Sequence, residues 1–377
     1  MQKPFTQLGH KQNLVRKFTP NWFTVSMGTG VVALIVSEFP LFQSFTWSFG
    51  SALWHFNIFL FVLFSMLYGL RWIIYPTEAK QIFDHPMMSL FLGAIPMALA
   101  TIINGFLKYG QAIYGDAALH LAETLWYVDV ILAMIIAWLI PFMMYQRQTH
   151  SLQNMTAVWL LPIVACEVAA SSGGLLVAQL PVSEYSAGIL LGSYVLWGIS
   201  VLPAFAILTI LMLRLALHKL PAKELAISSW LALGPIGTGA LALLVLGEQA
   251  PTVLATIGFV EMGIIFQCAG ILASLILLGF GLWWLGIAIM TTLYYVTQDM
   301  PFNLGWWGLT FPLGVFALAV LNLAQQLDLA VIYTLGYTMA GVLLLLWILV
   351  LSKTLQGFYQ GHLFFSPCLE SYLKNNG

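Results

Sequence analysis

The chain has 377 residues, of which 60% are hydrophobic and only 7% charged, and its formal net charge is −1. An ordinary soluble domain carries about 25% charged residues, so a solvated globular surface is excluded, and the small net charge offers no field for nucleic acid. What remains is an all-α integral membrane protein with one membrane domain and the lipid bilayer as its surroundings.

Residues 1–20, MQKPFTQLGHKQNLVRKFTP, are polar and basic and lack the apolar core of a signal peptide. They predict an N-terminal cytoplasmic segment. Ten spans follow between residues 21 and 356, near 21–37, 51–74, 87–107, 119–145, 155–178, 187–217, 227–247, 258–297, 305–325 and 330–356. Residues 357–377 form a cytoplasmic tail. The stretch from Thr252 to Thr297 carries one acid, Glu261, and reads either as one long tilted helix or as two short spans. Charge placement favours the first. With ten spans, Lys3, Lys11, Arg16, Lys17, Arg71, Lys80, Arg147, Arg214, Lys219, Lys223, Lys353 and Lys374 fall on one side, and only Lys108 on the other. Glu38, Asp116, Glu184, Glu248 and Asp328 join Lys108. The positive-inside rule then puts both termini in the cytoplasm of a cell that holds the protein in its plasma (inner) membrane.

The odd spans share a feature. Each is interrupted by proline or paired glycines among small residues, at Met27-Gly28-Thr29-Gly30, Pro96, Pro162, Pro235 and Pro312. From Gly30 the steps are 66, 66, 73 and 77 residues. A broken helix frees backbone polar groups that lipid cannot satisfy. The odd spans therefore belong inside, and the bulkier even spans, rich in Leu, Trp and Phe, belong against lipid. Pro203 in the sixth span and Pro141 late in the fourth depart from the rule. Ten spans taken pairwise are five hairpins in one orientation, which implies a quasi-fivefold arrangement around a central pore.

The segments FTPNWFTVSMGTG at 18–30 and WWGLTFPLGVFALA at 306–319 resemble the tellurite-resistance/dicarboxylate transporter family, also called the voltage-dependent anion channel family. LLPIVACEVAASSGG and the SPCL near the C-terminus extend the similarity over essentially the whole chain. The family includes bacterial tellurite-resistance proteins, fungal malate permeases and sulfite pumps, and plant slow-type anion channels. The resemblance implies a homotrimer with a pore in each protomer, and a phenylalanine plugging that pore. In this sequence that residue is Phe311, ahead of Pro312. The cargo expected first is a C4-dicarboxylate such as malate, with sulfite, tellurite, chloride or nitrate as the alternative.

Five hydroxyls lie at or near the breaks: Thr29, Ser171, Ser172, Thr238 and Thr310. Each either donates a hydrogen bond to an anion or caps its own helix backbone, the commoner fate in a span. Glu167 lies in the fifth span with no Lys or Arg in the spans to pair with it. An acid there has two readings: it binds the proton of proton-coupled uptake, or it is a neutral donor that fixes neighbouring helices. Asp129 and Glu123 read as structural pairs, with Trp126 and Tyr127 as partners for Asp129. No basic residue stands clearly at membrane depth. Anion attraction then falls to helix N-termini, opposed by the carbonyls that proline releases.

The three cysteines, Cys166, Cys268 and Cys368, form no CxxC pair and predict neither a disulfide framework nor a metal site. There is no HExxH, GxSxG or Walker A pattern, so no enzyme and no cofactor are expected. A sensor or assembly role lacks any soluble output domain.

Overall fold

The computed structural model describes residues 5–376; Lys3 and the outer ends of both terminal segments, residues 1–4 and 377, lie outside it. All regular elements among the described residues are helical. Ten apolar segments follow one another: α1 (Pro20–Val36), α2 (Gln43–Ile74), α3 (Met88–Tyr114), α4 (Asp116–Gln146), α5 (Ala157–Val177), α6 (Glu184–His218), α7 (Lys223–Ala255), α8 (Val260–Val296), α9 (Leu304–Leu327) and α10 (Ala330–Gln360). Nine of these are long and apolar enough to cross a membrane, and α1 is shorter. A C-terminal helix, α11 (Pro367–Asn376), closes the chain. The ambiguous stretch from Thr252 to Thr297 holds the end of α7, a turn, and the single 37-residue helix α8. The protein is a multi-pass membrane protein.

Burial alternates with the segment number. In their most apolar windows α3, α5, α7 and α9 are 78–94% buried, whereas α2, α4, α6, α8 and α10 are 17–33% buried. Every residue of Phe23–Val36 in α1 is buried. The physical reason is side-chain size. Lipid is as apolar as leucine, so helices associate through close packing, which small residues permit. Each odd segment packs on the even segment that follows it. The odd segments also pack on one another in a closed cycle, α1 on α3, α3 on α5, α5 on α7, α7 on α9 and α9 back on α1.

The prolines sit differently from simple mid-helix breaks. Four odd segments start as 3-10 helix, over Met88–Gly93, Ala157–Leu160, Lys223–Ala232 and Leu304–Leu309, then continue as α-helix. Pro96, Pro162, Pro235 and Pro312 each fall within the first three residues of the α-helical part. There the missing N–H is least costly, because the hydrogen-bond pattern is changing register. α1 runs as helix through Gly28 and Gly30 without interruption, which corrects the expected break. Those glycines serve close approach. A Cβ on Gly30 would lie 2.0 Å from Thr101 Oγ1, and one on Gly28 would lie 2.1 Å from Thr310 Oγ1. α4 and α6 likewise run on through Pro141 and Pro203.

Polar ties bind the cycle. Ser26 of α1 donates to Asn57 Oδ1 of α2 at 2.8 Å, and Asn57 Nδ2 donates to Thr101 Oγ1 of α3 at 3.0 Å. At the end where α1 begins, Arg71 is buried and donates to Phe18 O at 2.5 Å and to Ser366 Oγ at 3.2 Å. The SPCL segment is thereby pinned to the end of α2. Arg16 forms a two-pronged ion pair with Glu78 at the same end.

Candidate functional site

Two cavities lie on the faces that the odd segments turn to one another. The first, about 210 Å³, opens at the end where α1 begins. The 3-10 stretches line much of it, through Met88, Phe91, Val158, Ser228 and Trp307; Phe311 and Pro312 close its deep side. The tighter 3-10 winding brings those side chains to the rim, where α-helical spacing would rotate them away. The second cavity, about 300 Å³, lies toward the opposite end, beside Leu34, Glu38, Asn104, Lys108, Gln179 and Asn322.

Helical spacing identifies what separates the cavities. In four of the five odd segments, a step of four and then three residues leads from a lining residue of the first cavity to one of the second, and α5 needs one further step of four. The steps run Met27–Val31–Leu34, Met97–Thr101–Asn104, Gly234–Thr238–Leu241 and Phe311–Val315–Leu318. In α5 the path is Val164–Val168–Ser171–Leu175. Val31, Thr101, Val168, Ser171, Thr238 and Val315 are all buried. By this spacing they fall between the two cavities, a mostly apolar level referred to below as the neck. Sequence reasoning missed Val31, Thr101, Val168 and Val315. The common four-three spacing was the available signal, but it takes two located cavities to choose the right helix face.

The predicted site residues divide accordingly. Phe311 and Pro312 line the first cavity. Pro96, Pro162 and Pro235 do not, although their neighbours Met97, Leu161 and Gly234 do. Ser171 and Thr238 fall in the neck. The Ser171 hydroxyl is buried without a partner. Thr29 turns toward α10 and accepts from Trp347 Nε1 at 3.3 Å. Ser172 donates to Val168 O at 3.2 Å and Thr310 to Trp307 O at 2.7 Å, so both serve their own helix.

Glu167 is completely buried and lies beside the neck rather than in it. Its Oε1 meets Thr238 Oγ1 at 2.5 Å, and its Oε2 has no partner. Thr238 Oγ1 is also 2.7 Å from Gly234 O. Asp129 departs from expectation. Trp126 Nε1 donates to Ala169 O and Tyr127 pairs with Tyr185, leaving both Asp129 oxygens buried and unpaired. Glu123 accepts from the Tyr185 hydroxyl of α6, a structural tie.

A basic residue does reach a cavity. Lys108 lies in the π-helical stretch Phe106–Gly110 within α3 and pairs with Glu38 at the end of α1. Both line the second cavity. Among the described residues no group of three or more His, Cys, Asp and Glu stands close enough to hold a metal ion.

Residues 17–355 match the voltage-dependent anion channel family. The chain belongs to that family. Across 90% of both chains it is 36% identical to a sulfite efflux pump of Arthroderma otae. An uncharacterized transporter of Methanocaldococcus jannaschii is 29% identical, covering 94% of this chain and 98% of its own. The malic acid transport protein of Schizosaccharomyces pombe is 21% identical, covering 91% and 79%. Malate therefore loses its place as the first expectation for the cargo. The relative named for malate is the more distant, and the sulfite pump is the more similar over a comparable length. Both cavities are mostly apolar, and the amides, hydroxyls and one paired lysine among their lining are donors suited to a small anion.

Proposed function

We propose that this protein exports sulfite, as the hydrogen sulfite anion, across the plasma membrane through a pore at the centre of a quasi-fivefold cycle of its odd segments. The observation that carries the reading is the level between the two cavities, where the buried residues include no basic side chain. An anion passing it is held only by hydroxyls and backbone dipoles. The cost of moving charge out of water rises steeply with charge. Hydrogen sulfite brings one charge to the neck where malate brings two, and it is small. The 36% identity to a sulfite efflux pump supports the same cargo.

In this reading Phe311 gates the route from the first cavity, because its ring stands where that cavity meets the neck. The first cavity faces the cytoplasm with both termini, supported by the excess of Lys and Arg around it. The protomers assemble as trimers, each with its own route. Ser171, whose hydroxyl has no partner, supplies a hydrogen bond to the passing anion, while Thr238 is committed to Gly234 and Glu167, and the transport step needs no cofactor. Glu167 acts as a helix-fixing donor rather than a proton carrier, because it is held by Thr238, with Ser200 beside it, and lines neither cavity.

The test is flux from purified protein in liposomes, with sulfite, malate and chloride compared at equal gradients. Sulfite is expected to move fastest. Malate moving faster than sulfite would restore the dicarboxylate reading, and equal rates for sulfite and chloride would replace export of one cargo with a general inorganic-anion channel.

A further inference from the structure

Lys108 is the one basic side chain lining either of the two central cavities. It is not free there. Glu38 pairs with it, and both side chains are about three-quarters buried, at 27% and 25% exposure. The local backbone is built to hold the pair. Phe106–Gly110 winds as a π-helix, a form that commonly appears as a single bulge at functional sites. The next residue, Tyr109, is buried and hydrogen-bonds both Ala33 O and Ser37 Oγ, at 2.5 and 2.9 Å. That clamps α3 to the last turn of α1, directly before the turn that carries Glu38.

Around the pair four amide side chains, Asn104, Gln179, Asn322 and Gln325, share a wall that is otherwise aliphatic. Gln179 Nε2 donates to Leu107 O at 2.7 Å, but its Oε1 is buried with no partner, as is Asn104 Oδ1. Buried amide oxygens without donors are an uncompensated cost that a ligand bearing its own O–H relieves after a small rotation of the amide. The cavity thus combines a cation with acceptors lacking donors. A small oxyanion that keeps one proton matches both, and a halide matches only the first.

We propose that Lys108 is an anion subsite at the outer end of the route, and that Glu38 is its built-in competitor. An oxyanion leaving the neck displaces the Glu38 carboxylate from Lys108 and is held by the ammonium and the surrounding amides. Glu38 then returns and expels it. Reversible masking suits a release site, since a bare lysine in a half-buried cavity would retain the anion it is meant to discharge. The idea rests on the route proposed above.

The experiment reads the half-saturating concentration of sulfite presented to the Lys108 face, in intact cells and separately in inverted vesicles. Glu38→Gln should lower it, and Lys108→Met should raise it, each by roughly threefold to tenfold as expected for a partly shielded unit charge. Both changes should be confined to that face. Lys108→Arg, which keeps the charge, should stay near the parent value and serves where Lys108→Met folds poorly: a tenfold rise in Lys108→Arg would count against the subsite. An ion pair that only braces the helices predicts that both neutral variants reduce the amount of active protein with half-saturation unchanged. Shifts of the same sign, no shift, or shifts read only from the opposite face would overturn the proposal. Should the parent protein move chloride and not sulfite, the cargo reading fails, and the same opposed-sign test made with chloride still decides the subsite.

Discussion

The contact between Glu167 and Thr238 has a proton count that can be tested. Thr238 Oγ1 lies 2.7 Å from Gly234 O and 2.5 Å from Glu167 Oε1. A hydroxyl carries one hydrogen and can donate to only one of these oxygens at a time. Both contacts are satisfied together if Thr238 donates to Gly234 O and a protonated Glu167 donates to Thr238. Glutamine preserves that arrangement through its amide N–H, so Glu167→Gln should change stability by under about 1 kcal/mol, the net value of one neutral hydrogen bond. Thr238→Val removes the hydroxyl that Oε1 meets and leaves the buried Glu167 with only Ser200 near it, because Oε2 has no hydrogen bond already. That should cost about 1–3 kcal/mol, up to roughly a hundredfold in the folding equilibrium. Thermal unfolding in lipid nanodiscs measures both. Infrared difference spectra of the parent against Glu167→Gln should also lose a protonated carboxyl band. Glu167→Gln proving the more destabilising of the two, or the absence of that band, would refute the count. Retained pH-dependent flux in Glu167→Gln would further separate the bracing role from proton carriage.

Phe311→Ala should raise anion flux at unchanged expression, because it removes the ring between the first cavity and the neck; unchanged flux would remove Phe311 from the gate. Gly30→Ala should lose about 1–3 kcal/mol by overpacking, since its Cβ would fall 2.0 Å from Thr101 Oγ1 and 2.6 Å from Asn57 Nδ2. Gly69→Ala, with open space around it, should be neutral or mildly stabilising in the same unfolding assay. His85, in the connection before α3, is held below its ordinary value of 6.5 by burial, and its Nδ1 accepts from the N–H groups of Met87 and Met88. The fold therefore favours the neutral ring, and stability present above about pH 6.5 is lost as the pH falls through the folded-state value. Amide exchange across residues 85–91 should quicken between about pH 7 and pH 5, and this dependence should flatten in His85→Asn. An unchanged dependence in that variant would assign the effect to another group.

Much of the architecture was readable before any coordinates. The alternation of small and bulky spans anticipated which segments are buried, because in lipid close packing, not hydrophobicity, separates inside from outside. The prolines marked the odd segments correctly but not the form of the irregularity. Whether a proline kinks a helix or sits at its start depends on where the 3-10 winding ends, and the neighbouring segments determine that. Gly28 and Gly30 mimicked a break since glycine serves flexibility and close approach equally well in a sequence. Asp129 was assigned Trp126 and Tyr127 by proximity along the chain, yet both aromatics bond elsewhere.

The residues alone determined a multi-pass helical membrane protein, its order of spans and its relationship to the voltage-dependent anion channel family, because composition and periodicity are properties of the chain taken locally. Only the tertiary structure decided which face of each odd segment meets the others. It thereby left the Ser171 hydroxyl without a partner, set Thr238 against Glu167, turned Thr29 toward Trp347 and Ser172 onto its own helix, and brought Lys108 against Glu38 across 70 positions of sequence. A helix offers the same spacing to several faces, and only packing against four neighbours chooses one.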